Sequence, residues 1–147
     1  MKLMVSGHRL SKLSNYSTTY IKLALDDIIS NNKYLFSYAY SGMADGVDLW
    51  FCQLCVDYNI PYSACVPFVT HGEFINKDVV DLRQELLKKA DKTLLVKNSF
   101  MVEKCDCAIV CWDGNKGGTH NVLQQLVENK KPFYWINPVS EIIYNCT

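Results

Sequence analysis

The sequence has no surplus of charge: 15 Lys and Arg offset 15 Asp and Glu, for a formal net charge of zero. Proteins that hold a phosphate backbone normally carry a basic excess or stripe. The basic residues here are scattered, so nucleic acid is not the expected main partner. No run of 18 uncharged apolar residues occurs, so no membrane partner is expected. The first residues, MKLMVSGHRL, turn polar too early for a signal peptide, and a cytoplasmic location is expected. Internal repeats, linkers and low-complexity segments are lacking too, as are the GxGxxG and Walker phosphate motifs.

What is present describes one globular domain over residues 1–147. Hydrophobic residues make up 49% of the chain and charged residues 20%. A chain of this length hides roughly 68–70% of its unfolded surface, so it needs no disulfide or structural metal to fold. The seven cysteines, at 52, 55, 65, 105, 107, 111 and 146, are odd in number and mostly lie within apolar runs, which suits free, buried thiols. Cys52 and Cys55 with Cys105, Cys107 and Cys111 compose a zinc set on paper, but the first pair lacks the turn of a zinc knuckle. No metal and no resident cofactor are expected.

Hydrophobic periodicity alternates between strand and helix. Leu3–Ser6 reads as a strand and Tyr20–Ile29 as a helix; Tyr34–Tyr40 is a strand, and Val47–Tyr58 a buried helix. Ile60–Val66 is a strand that Pro61 confines to an edge or a strand start. Asp78–Ala90 is an amphipathic helix, Thr93–Val96 a strand, Asn98–Lys104 a helical turn, and Ala108–Trp112 a strand. Val122–Asn129 and Phe133–Ile136 close the series as helix and strand. This alternation predicts an α/β fold, a Rossmann-like three-layer sandwich with a mostly parallel sheet, whose ligands bind beyond the carboxyl ends of the strands.

Three polar breaks containing glycine follow those strands: Ser6–Arg9, Ser41–Asp48 and Asp113–Thr119. In a parallel sheet they converge on one edge, where glycine lets backbone approach a ligand and a helix N-terminus offers unpaired N–H groups to an anion. Taken singly, each break reads first as a plain strand-to-helix turn. Gly7, His8 and Arg9 lead the first loop, Arg9 with a planar fork for phosphate. Ser41, Gly42 and Asp45 belong to the second; Asp48 either caps its helix or contacts a ribose hydroxyl. In the third, Asp113 forms a turn or faces ligand, while Gly117, Gly118, Thr119 and Asn121 open a helix that holds phosphate or ribose. Tyr40 and Trp112 are candidate platforms for a base. His120 has no partner readable from sequence.

The order of these motifs resembles the SLOG superfamily, which groups the SMF/DprA and LOG proteins, and within it a YpsA-like branch. The matching residues are Val5-Ser6-Gly7-His8-Arg9, then Ser41-Gly42 with Gly46, Asp48 and Trp50, then Lys97-Asn98 with Met101-Val102-Glu103, Asp106, Trp112-Asp113-Gly114 and Gly117-Gly118-Thr119. The resemblance spans residues 4 to 138. It implies a pocket for a nucleotide or nucleotide derivative, adds Lys97 and Asn98 to the ligand-binding residues, and implies a homo-oligomer, to which Val56, Tyr58 and their helix could contribute an interface.

Departures from that pattern shape the expected function. Leu10 stands where proline is common, the stretch from Ala90 to Lys97 is short, and Lys97 replaces an arginine. LOG enzymes, which cleave an N-glycosidic bond of nucleoside monophosphates, carry a catalytic Arg and Glu where this chain has Lys97 and Val122. Such cleavage needs a fixed carboxylate against oxocarbenium character, and valine supplies none. No catalytic residue is therefore expected, and the reading is non-catalytic binding of a nucleotide-derived small molecule, a signalling nucleotide or NAD derivative, for sensing or sequestration. The alternative is a LOG-like hydrolase or transferase, with Asp45, Asp48, Glu73 or Asp113 replacing the missing glutamate.

Overall fold

A computed structural model describes residues 1–67 and 76–147. Glu73, one of the candidate carboxylates, lies outside the described residues. In chain order the elements are β1 (Lys2–Gly7), α1 (Leu10–Leu13), α2 (Thr18–Asn32), β2 (Tyr38–Ser41), α3 (Val47–Asp57), β3 (Tyr62–Val66), α4 (Lys77–Lys89), β4 (Lys92–Leu95), α5 (Asn98–Lys104), β5 (Cys107–Cys111), α6 (Gly118–Glu128), β6 (Phe133–Asn137) and β7 (Ile142–Cys146).

The strands form one sheet in the order β4-β3-β2-β1-β5-β6-β7. Every pairing is parallel except β6 with β7. From β1 the chain steps outward to β4, then returns to lay β5 on the other side of β1, so strand order reverses between β1 and β5. Gly7 and Cys111 are paired at that point. The reversal diverges the connections on either side and opens a crevice at the carboxyl ends, where sheets of this kind bind ligands.

The long helix α2 forms because its apolar residues share a stripe. In α2 the buried positions are Ile21, Ala24, Leu25, Ile28 and Ile29, spaced as one helical face. Its start is fixed by the Ser17 side chain, which accepts the Tyr20 N–H. Asn76 does the same for α4, taking the N–H groups of Asp78 and Val79.

Successive strand side chains point to opposite faces, and two cores result. Leu3 and Val5 join Ile109 and the inner faces of α2 and α3 in one. Met4 joins Tyr40, Ala108, Val110, Met101 and Val122 in the other. Helices therefore cover both faces, which confirms the three-layer α/β expectation.

Three boundaries differ from the periodicity. The second strand begins at Tyr38 because Lys33 to Leu35 form a turn in which Tyr34 is 92% exposed. The loop after β1 contains the short helix α1, whose apolar content is too small to register as a period. The antiparallel β7 was not expected: its Ile142, Ile143 and Tyr144 are all exposed, so the strand lacks the alternation that marks a half-buried one. Pro61 directly precedes β3, at a strand start as its missing N–H requires. Among the described residues no helix is long and apolar enough to cross a membrane.

Candidate functional site

The carboxyl ends of β1, β2 and β3, the segment after β4 and the start of α6 surround a cavity of about 850 Å³, within the range of small-molecule sites. Of the fourteen residues expected to bind ligand, eleven line it: Gly7, His8, Arg9, Gly42, Asp48, Lys97, Asn98, Gly117, Gly118, Thr119 and Asn121. The three glycine-containing breaks thus meet at one rim. Ser41, Asp45 and Asp113 are not among the lining residues.

Those three act on their neighbours instead. The Ser41 hydroxyl is buried, donating to the Asp48 carbonyl and accepting the Met43 N–H, both at 3.2 Å, and so shapes the loop before α3. Asp45 accepts from Arg9 Nε at 2.9 Å. Asp113 is turned inward: its carboxylate accepts from Tyr16 Oη at 2.8 Å and the Asn115 N–H at 3.0 Å, with Lys12 Nζ 3.4 Å away. Burial works to raise its pKa, but these donors prevail and hold the carboxyl below the ordinary carboxylate range.

His8 is buried beside it. Its Nε2 accepts the Asp113 backbone N–H at 3.0 Å, which places the ring proton on Nδ1 and leaves the imidazole neutral. Burial lowers its pKa, outweighing the attraction of the Asp113 carboxylate at 3.2 Å. His8 therefore joins the ends of β1 and β5 rather than presenting charge to the cavity.

The glycines divide by function. A Cβ on Gly7 would stand 2.6 Å from Val47 Cβ and Cγ1, so Gly7 is small to let α3 pack against the end of β1. At Gly117 and Gly118 a Cβ would meet nothing within 4 Å; these residues border open space. Gly117 is the N-cap of α6, with no side-chain cap, and the first turn of α6 holds no acidic residue. Among the described residues the leading N–H groups of α6 consequently have no protein acceptor, and they border the cavity at the positive end of the helix dipole.

The opposite arrangement holds at α3, where Asp48 occupies the first turn. Its Oδ2 accepts the Ala44 N–H at 3.2 Å, while Oδ1 is buried with no hydrogen-bond partner among the described residues. Burial pushes the carboxyl up to about 7, against the Ala44 bond and the charge of Arg9, which lower it.

Sequence reasoning missed Ser11 and Lys12, which reach the rim only because α1 turns there, and Gln125. Gln125 was findable, since it follows Asn121 by four residues on one helical face. The base platforms are corrected. Tyr40 is buried in the core, edge-on to Phe100. Trp112 does not line the cavity; it stacks on His120 and tilts against Trp135. Val122 is buried in the second core, as its apolar character requires. The thiols of Cys52, Cys55, Cys105, Cys107 and Cys111 are buried, and burial raises the pKa of each.

No family model matches the chain, and comparison with curated proteins finds no match. Solved structures do match. DNA processing protein A from Helicobacter pylori, described for a single-stranded DNA binding mode, aligns with TM-score 0.67 and 16% identity over 92% of this chain and 64% of that one. DNA processing protein A from Streptococcus pneumoniae aligns with TM-score 0.64 and 14% identity over 91% of this chain and 49% of that one. The molybdenum cofactor carrier protein from Chlamydomonas reinhardtii aligns with TM-score 0.61 and 11% identity, over 91% and 74%. The chain thus spans about half to two thirds of the two DNA processing proteins.

These likenesses correct one expectation. A protein described for binding single-stranded DNA shares the fold, so overall neutrality does not set nucleic acid aside as a partner. The physical reason is local: net charge is a sum over the surface, whereas Arg9, Lys12 and Lys97 line the same cavity as the α6 N-terminus. At these identities the likeness concerns fold. The chain has the fold shared by DNA processing protein A and the molybdenum cofactor carrier protein, in agreement with the SLOG resemblance at that level.

Proposed function

We propose that this chain is a single SLOG-type domain of the YpsA-like branch that captures a nucleotide-derived small molecule, a signalling nucleotide or NAD derivative, for sensing or sequestration. The observation that carries this reading is the uncapped N-terminus of α6, bordered by open glycines and turned to the cavity. Phosphate takes its place against the leading N–H groups of Gly118 and Thr119. Lys97 and Arg9 add positive charge from elsewhere in the lining, and Asn98 and Asn121 supply polar contacts. The domain works in the cytoplasm as a homo-oligomer.

Capture without chemistry suits the lining, since the position of the LOG glutamate is taken by buried Val122. Thermal-shift measurement against a panel of nucleotides, NAD derivatives and cyclic nucleotides, followed by chromatography of the recovered ligand, tests the reading. Stabilisation with intact recovery supports it; no stabilisation by any member contradicts it.

A hydrolytic reading has one observation behind it. Asp48 brings to the cavity a carboxyl whose pKa of about 7 suits general acid or base catalysis. Recovery of free base in the same experiment replaces capture with cleavage.

A further inference from the structure

The phosphate seat accounts for one end of the cavity and leaves Asp48 unexplained. Asp48 is 8% exposed and lines the cavity, and among the described residues its Oδ1 is a buried acceptor without a donor. Native proteins rarely leave such an atom unsatisfied. A capping role does not consume it: Gly46 is the N-cap of α3, and the Ala44 N–H is already served by Oδ2. Gly42 is small beside it, since a Cβ there would stand 3.0 Å from Oδ2.

One cavity therefore holds two unmet demands of opposite kind. The α6 N-terminus offers donors and asks for an anionic acceptor, while Asp48 Oδ1 asks for a donor. A cationic donor is disfavoured, because Arg9, Lys12 and Lys97 line the same space and Asp48 is the one carboxylate among the described lining residues. A neutral hydroxyl meets the demand without that repulsion. A phosphate ester of a sugar that keeps its hydroxyls satisfies both ends; a deoxy sugar leaves Oδ1 orphaned.

We propose that Asp48 is a specificity-determining residue that selects ribose over deoxyribose, its Oδ1 accepting a hydrogen bond from a ribose hydroxyl of the bound nucleotide. This rests on the nucleotide reading above, and adds that the guest is a ribonucleotide. A site built to bond a hydroxyl discriminates strongly against the analogue lacking it, because the buried group is then left unpaired.

The test is calorimetric titration of the whole chain at pH 8, where the Asp48 carboxyl is ionised, with AMP, GMP, CMP and UMP and their 2′-deoxy and 2′,3′-dideoxy counterparts. The best-bound ribonucleotide is expected to exceed its dideoxy counterpart by about tenfold to hundredfold in affinity, the range of one hydrogen bond to an ionisable group. Asp48→Ala removes that preference, so that the ribonucleotide binds no better than its dideoxy counterpart. Asp48→Asn keeps an acceptor for the Ala44 N–H and lowers the preference at least about threefold; it serves where the alanine variant does not fold. Equal binding of ribo- and dideoxynucleotides overturns the inference and leaves the nucleotide reading standing, as does an undiminished preference in the Asp48 variants. Failure of every one of these nucleotides to bind overturns the inference, and the nucleotide reading falls with it when the wider panel above also gives no stabilisation.

Discussion

The imidazole of His8, at the end of β1, accepts the backbone N–H of Asp113, just past the end of β5, at 3.0 Å. One neutral ring thereby ties together the two strands between which the sheet reverses, and the Asp113 carboxylate is held by Tyr16 and Asn115 on the far side. Replacing His8 by leucine leaves that buried N–H without an acceptor. A loss of about 1–3 kcal/mol is expected, read as a lower urea midpoint at unchanged slope. An unchanged midpoint contradicts the role assigned to His8.

Gly7 and Gly118 are expected to separate stability from binding. An alanine at 7 drives its methyl into Val47, 2.6 Å away, and should destabilise the fold by about 1–3 kcal/mol through overpacking. An alanine at 118 meets nothing within 4 Å and leaves thermal stability intact, but its methyl occupies the space beside the anion seat and weakens nucleotide binding. Thermal melts of both variants, with and without ligand, check the contrast. A destabilised Gly118 variant, or a Gly7 variant as stable as the unaltered protein, refutes it.

Arg9 extends half-exposed from the first loop, paired with Asp45. Exposed ion pairs contribute about 0–1 kcal/mol, so Arg9→Ala should barely move the melting temperature. Its position on the cavity makes ligand affinity the sensitive quantity. A loss of about tenfold is expected, typical of a charge-assisted hydrogen bond. Unaltered affinity removes Arg9 from the site.

Asp48 should make stability depend on pH in a direction opposite to that of most carboxylates. Its folded pKa is raised from 3.8 to about 7. Between those values the folded protein keeps a proton that the unfolded chain releases, so stability falls as pH rises through this window. His8 acts oppositely: with its pKa lowered by burial, it withdraws stability as pH falls below about 6.5. Asp113, lowered by its donors, withdraws stability only on acidification below about 4. Subtracting the unfolding free energies of Asp48→Asn from those of the unaltered protein isolates the Asp48 contribution. That difference should decline from pH 4 to 7 and level off above. A flat difference contradicts the buried, unpaired state of Asp48.

The sheet and its helices were legible because their apolar residues obey clean periods: β5 is an uninterrupted buried run, and α2 carries one unbroken stripe. The strand-end glycines were legible as a set, though not their division of labour. Whether a glycine is small for a ligand, as at Gly118, or for a neighbouring helix, as at Gly7, depends on a packing partner 40 residues away in sequence. Asp113 illustrates the same limit. Its place before a glycine suited a ligand-facing carboxylate as well as a turn, and only the contacts of Tyr16, Lys12 and His8 turn it inward. Lys12 was hidden because α1 is a single turn without a period of its own. Asp48 was legible as a helix-start acid, yet its unpaired oxygen is a property of the folded loop.

The central claim is that the start of α6 seats an anion. It is tested most directly by following backbone amide resonances of the isotopically labelled protein during titration with ribonucleotides and pyrophosphate. Saturable shifts that are largest at Gly118, Thr119 and His120, and that agree between the two kinds of probe, are the expected result. Shifts confined to other parts of the chain, or none at millimolar ligand, contradict it.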